Sequence, residues 1–276
     1  MLYLQLERDI KLFSTFIIAS VAFLCADTTF ADTIHYPSSE YATIQEAVNA
    51  AVDGDVITIA PGTYTENNIL IDKSIVIQGS GNQATIIDGN YSNRIFRFED
   101  VKDQSAELRN LYLIRGKTTN YGGAIFCVNS TPTITGCTIT SCIAKFGGGI
   151  AYYTDENYTN LNSSAFIIDC SISGNSASEF GGGVWGSRLI QITCIDTDVC
   201  GNEFDHTDSS PGSDFVGTFV DGGENWIPEW IHASSEYRGY TNCKLLVGPD
   251  RAYQTINQAI HDAVDGDVIQ IDRGEF

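Results

Sequence analysis

Positive charge is what this sequence has least of. Its 276 residues hold 15 Lys and Arg against 35 Asp and Glu, a net charge of −20. A surface of that sign repels phosphate backbones and anionic lipid, which argues against nucleic acid or acidic membrane as a partner. Metal-binding patterns are missing as well: four scattered histidines and no CxxC pair leave no zinc site. Long apolar runs are absent. The longest, Leu12 to Cys25 (LFSTFIIASVAFLC), falls short of the roughly 20 residues that a membrane helix needs. Basic Arg8 and Lys11 precede it and Thr29-Phe30-Ala31 follows it, the layout of a secretory signal cleaved after Ala31. No other segment reads as transmembrane.

Glycine, by contrast, is abundant at 26 residues, and the hydrophobic share of 43% is enough for a core with many tight turns. One stretch occurs twice. Tyr41 to Tyr64 (YATIQEAVNAAVDGDVITIAPGTY) and Tyr253 to Phe276 (YQTINQAIHDAVDGDVIQIDRGEF) agree at 13 of 24 positions with a constant offset of 212. Each copy predicts a short helix leading into a strand. Thr43 with Glu46, and Thr255 with Gln258, read as capping boxes. Ile44, Ala47, Val48 and Ala51 share one helix face, as do Ile256, Ala259, Ile260 and Ala263. Such a stripe must cover something apolar, and the open end of a stack of strands suits it.

A stack follows. Segments 106–116, 132–142, 165–175 and 191–202 align into three columns: Leu108, Ile134, Ile167, Cys194; Leu111, Cys137, Cys170, Thr197; and Leu113, Ile139, Ile172, Val199. YGGAI (121–125), FGGGI (146–150) and FGGGV (180–184) keep step with them. Repeats of this length with short strands and no helix predict a solenoid whose coils stack at about 4.8 Å. The expected fold is all-β, a right-handed parallel β-helix of about six coils with a short N-terminal capping helix. The expected organisation is a signal peptide (1–31), the β-helix (32–226), a polar linker (227–248) and the start of a second, truncated β-helix (249–276). The chain then reads as the N-terminal fragment of a longer protein.

The segment TIQEAVNAAVDGDVITIAPGTYTENNILIDKSIVIQGSGNQATIIDG (43–89) resembles the opening of pectin-lyase-like β-helices, pectin methylesterases in particular. The GGAI and GGGI repeats are similar to those of chlamydial polymorphic outer-membrane proteins, and VCGN (199–202) with GTFVDGGENW (217–226) to the closing segments of secreted bacterial β-helix proteins. These resemblances imply the fold and an extracellular setting. They would also imply a carbohydrate-active site, but the esterase motifs QDT, DFIFG and GRPW are not intact here. No polygalacturonase set is present either.

Candidate site residues fall in two groups. Asp169, Asp196 and Asp198 are possible calcium ligands, Asp169 and Asp196 at one register position on adjacent repeats; solvated surface carboxylates explain them too. Arg115 and Arg188 are the possible bases of a lyase. Phe126, Tyr152 and Trp185 follow the glycine landmark, one per repeat, and form either a row for stacking on sugar rings or a packing ladder between coils. Cys137 and Cys170 read as a buried ladder of small groups rather than a disulfide. Asn175 and Asn202 read as turn residues bonding along the stack. The function expected is a secreted or cell-surface, non-catalytic rod for adhesion or for contact with an extracellular polysaccharide or cell-surface glycan. The alternative is a polysaccharide-active enzyme with a divergent site, or with its site in a missing C-terminal part.

Overall fold

The computed structural model describes residues 31–81, 84–101, 105–155, 164–187, 189–204, 215–221, 230–231, 244–247 and 268–271. The expected signal peptide, most of the expected linker and the second capping helix lie outside them. Within them, short apolar-polar alternations form strands and glycine or asparagine forms the corners. Every strand pair is parallel. The strands assemble into an eight-stranded, a seven-stranded and a six-stranded sheet that run along the molecule together. Each coil contributes one strand to each sheet, which makes the fold a parallel β-solenoid.

Inward-pointing residues stack in columns. Ile57, Ile77, Leu108, Ile134, Ile167 and Cys194 are successive register partners in the eight-stranded sheet, all with no solvent exposure. Ile87, Leu113, Ile139, Ile172 and Val199 do the same in the six-stranded sheet. Ile69, Phe96, Ile125, Ile150 and Val184 line the seven-stranded sheet. Each such burial contributes about 2 kcal/mol of transfer free energy. The helix Ile44–Ala50 adds Ile44, Ala47 and Val48 to the same apolar cluster. Thr43 accepts the Glu46 amide at its start, and the Glu46 carboxylate accepts the amide of Ala42. Ala51 takes the C-cap position, and Gly54 sits at φ 95° in the turn before the next strand.

The corners are columns too. Asn110, Gly136, Asp169 and Asp196 all take left-handed φ between 47° and 58°, where Asn, Asp and Gly are best tolerated. At the next corner the Asn175 side chain donates to the Asn202 side chain at 2.9 Å and accepts the Cys142 amide at 3.0 Å, so the turn bonds along the stack. The glycine landmark has two separate causes. Its first residue (122, 147, 181) is left-handed at φ 63° to 66°. Its second lies against the neighbouring coil: a Cβ on Gly148 would stand 2.6 Å from the Ser176 carbonyl oxygen and nearer still to that of Gly182.

Beyond the main stack, Lys244–Val247 pairs in parallel with Val268–Ile271. Thr33–Tyr36 pairs with Val56–Ile59 in the first copy of the duplicated segment. The second copy therefore shares the strand pairing of the first as well as its sequence, although residues assigned to the linker supply one of its strands.

Gly148→Ala is expected to lower the unfolding free energy by about 3 kcal/mol, because backbone of the next coil must move. Lys145→Ala, exposed and three residues away, should change it by about 0.5 kcal/mol or less. Urea denaturation of both variants checks the contrast.

Candidate functional site

Strand parity decides where the candidate aromatics go. On the strands Ile125–Val128 and Ile150–Tyr153 the landmark residue points inward, the next outward and the third inward. Phe126 and Trp185 are each one residue past the landmark and lie on the outer face. Tyr152 is two past it and is fully buried in the core. This corrects the row expected from sequence, because Tyr152 has no path to a ligand; the outward residue of that coil is Ala151, with Tyr153 outward at the strand end. In register, Ala151 stands between Phe126 and Trp185. The Tyr121 ring stacks on Phe126 at 5.5 Å and meets Trp185 at 5.1 Å, covering the small Ala151 side chain between them.

Tyr121 also stacks on Phe146 at 5.0 Å and meets Tyr153 at 5.5 Å. Phe146 in turn stacks on Phe180 at 6.1 Å and meets Trp185 at 5.5 Å. Six rings therefore form one continuous cluster on the outside of the seven-stranded sheet, and Phe180 at its rim is 50% exposed. Tyr121, Phe146 and Phe180 all precede a left-handed glycine, and Tyr121 pairs with Phe146 through an isolated parallel bridge. The glycine landmark thus places these rings as well as turning the coil.

Two cations border the cluster. The Arg94 guanidinium lies 4.8 Å from the centre of the Phe126 ring and donates to the Thr118 hydroxyl at 3.1 Å. Lys145 lies 5.4 Å from the Phe146 ring and 3.9 Å from Glu179. Arg97, the register partner of Phe126, pairs with Glu99 at 2.7 Å. Burial, and then the charge of Arg97, pull the Arg94 pKa down to about 10. Positive charge is scarce along the sequence, yet the fold brings Arg94 and Arg97 together beside this cluster. Arg94 and Arg97 come from the coil of Phe96–Glu99, which lacks the GGxI landmark, so no alignment of the later repeats could bring them beside Phe126.

The acidic candidates do not converge in the same way. Asp169 and Asp196 are neighbours in the left-handed corner column, next after the paired Ile168 and Ile195. Backbone conformation accounts for their identity, since Asn110 and Gly136 hold the same position. Asp198 lies on the adjoining strand opposite Ser171 and is 2% exposed. Among the described residues no group of three or more His, Cys, Asp and Glu is placed to hold a metal ion. Arg115 is taken up by Asp88, with Nε donating at 2.9 Å to one carboxylate oxygen and a second contact to the other. Burial alone would raise the Asp88 carboxyl, but these bonds hold it below the usual carboxylate range. Arg188 lies outside the described residues.

The core behind the rings is rich in thiols. Cys127, Cys137, Cys142, Cys170 and Cys194 are buried and not in disulfides, while Cys200 is disulfide-bonded. Cys137 and Cys170 stack on adjacent coils, with the Cys137 amide donating to the Cys170 sulfur at 3.4 Å. Burial raises the Cys142 thiol to about 12 and pushes Cys127, Cys170 and the Tyr152 hydroxyl well above their ordinary values.

No family model matches the chain. A cell surface glycoprotein of Methanothermus fervidus is 31% identical over 120 residues, which cover 42% of this chain and 18% of that protein. The match therefore spans less than a fifth of the relative's length. Among the described residues no helix is long and apolar enough to cross a membrane.

The raised thiols give a pH dependence. Below pH 9 they are protonated in both folded and unfolded chains. Above it the unfolded chain releases protons that the folded one keeps, so stability is lost as pH rises. The loss should be about 1.4 kcal/mol per pH unit for each thiol concerned. The urea midpoint measured from pH 7 to pH 10.5 should be level at first and fall beyond about pH 9; a level profile throughout would contradict the burial of these thiols.

Proposed function

We propose that this chain is a non-catalytic cell-surface module, a rigid solenoid that contacts glycans through its aromatic face. The observation that carries this reading is the six-ring cluster outside the seven-stranded sheet. A pyranose ring presents a flat C–H surface, and aromatic faces offer the matching apolar plane with little rotamer entropy to lose. Here the rings sit on strands bonded to a coil on either side, so the plane is held in place before any ligand arrives. A sheet face bearing such rings needs no moving part to work as a contact surface. The name of the Methanothermus fervidus relative supports the placement at a cell surface. The match covers 18% of that protein, so only the surface setting is taken from it.

Native electrophoresis of the full chain through gels containing soluble polysaccharides tests this. At least one polymer should retard the protein. Trp185→Ala, which removes an outward ring and leaves the inward columns intact, should weaken that retardation about tenfold. Retardation unchanged by the substitution, or none with neutral, uronate and sulfated polymers alike, would overturn the proposal.

A further inference from the structure

The aromatic cluster is bordered by a charge that, among the described residues, has no ion-pair partner. Arg94 is half-buried, lies over Phe126 and donates to Thr118, yet none of the described ion pairs includes it. Arg97 stands close enough to repel it. The Nε of Arg97 is itself buried with no acceptor. Holding a guanidinium partly out of water, beside a like charge and without a carboxylate, costs folding free energy. The cost is out of keeping with the rest of the chain, where acidic residues outnumber basic ones by 35 to 15 and a partner carboxylate would be easy to supply. Arg109 and Arg115 each have one, in Glu107 and Asp88. Among the described arginines the exception is the one that lies over the Phe126 ring.

We propose that the glycan taken by the aromatic face carries sulfate esters, and that Arg94 is the residue that reads them. The inference rests on the glycan-contact reading above and gives it a chemical class. A ring lying over Tyr121, which is stacked on the buried Phe126, brings its substituents to the edge where Arg94 stands. An anionic oxygen there completes the guanidinium's unfilled donors and offsets the repulsion from Arg97. The choice of sulfate follows from hydration. Arg94 is already partly stripped of water and a guanidinium is weakly hydrated. A sulfate ester spreads one charge over three oxygens and gives up water more readily than a carboxylate does. It therefore pairs in this half-buried, ring-lined position at lower desolvation cost. The surrounding negative charge adds selectivity: a uniformly charged polyanion is repelled everywhere except at this face, so binding requires ring stacking and the ion pair together.

Titration calorimetry of the full chain with dextran sulfate, dextran and polygalacturonate tests the assignment. The variants are Arg94→Met, Arg94→Lys and the charge-matched control Arg109→Met, which lies on the eight-stranded sheet. Dextran sulfate should bind tightest. Arg94→Met should weaken it tenfold or more, Arg94→Lys should recover part of the loss, and Arg109→Met should leave it within twofold. Should Arg94→Met fail to fold, Thr118→Val, which frees the guanidinium from its positioning hydroxyl, should weaken dextran sulfate binding severalfold. Equal binding of dextran and dextran sulfate would overturn the sulfate inference and leave the glycan-contact reading standing. So would polygalacturonate binding as tightly as dextran sulfate, or a loss in Arg109→Met equal to that in Arg94→Met. Binding of none of the three would overturn both.

Discussion

In-register stacking of one coil on the next is the constraint on which everything else here depends. Parallel strands bonded above and below fix each residue directly over its counterpart one coil earlier. A position that suits one coil must then suit all of them. Inward positions become columns of Ile, Leu, Val and Cys, as at Ile57, Ile77, Leu108, Ile134, Ile167 and Cys194. Corners become columns of left-handed residues, and buried polar side chains bond along the axis, as Asn175 does to Asn202. The outer face is the one place where identity is free to vary, and there the chain has placed aromatic rings.

The same constraint decides how much could be read in advance. The three columns from Leu108, Leu111 and Leu113 onward were legible because identical spacing repeats around a glycine landmark. The parallel pairing and the asparagine contact follow directly from that alignment. The coil holding Phe96, Arg97 and Phe98 was not legible, since SNRIFRFED carries apolar residues at the right parity but no landmark to set its register. Tyr152 was misplaced for a related reason. Distance from the landmark sets only the place along the strand, whereas period-two parity sends the first residue out and the second in. Asp169 and Asp196 share a left-handed corner with Asn110 and Gly136, a backbone reason for their identity that spacing alone does not carry.

The site itself lay in pieces. Tyr121, Phe146 and Phe180 were visible as residues before glycines, and Phe126 and Trp185 as residues after the landmark. Their meeting on one face needed the coil geometry, because the landmark rings fold back over the strand that follows them. Arg94 joined them only through a coil that the alignment did not contain. An acidic chain with one aromatic face bordered by arginine is a different object from an acidic chain with charges scattered evenly, and composition alone does not distinguish the two.

The most direct test of this account is to locate the contact face. Hydrogen exchange on the full chain, with and without saturating dextran sulfate, reads every coil at once. Added protection should concentrate in peptides covering 94–99, 116–128, 143–153 and 180–186, which carry the six rings, Arg94 and the strands of the seven-stranded sheet beneath them. Protection centred instead on 164–168 and 191–195, in the eight-stranded sheet, or spread evenly along the solenoid, would contradict it.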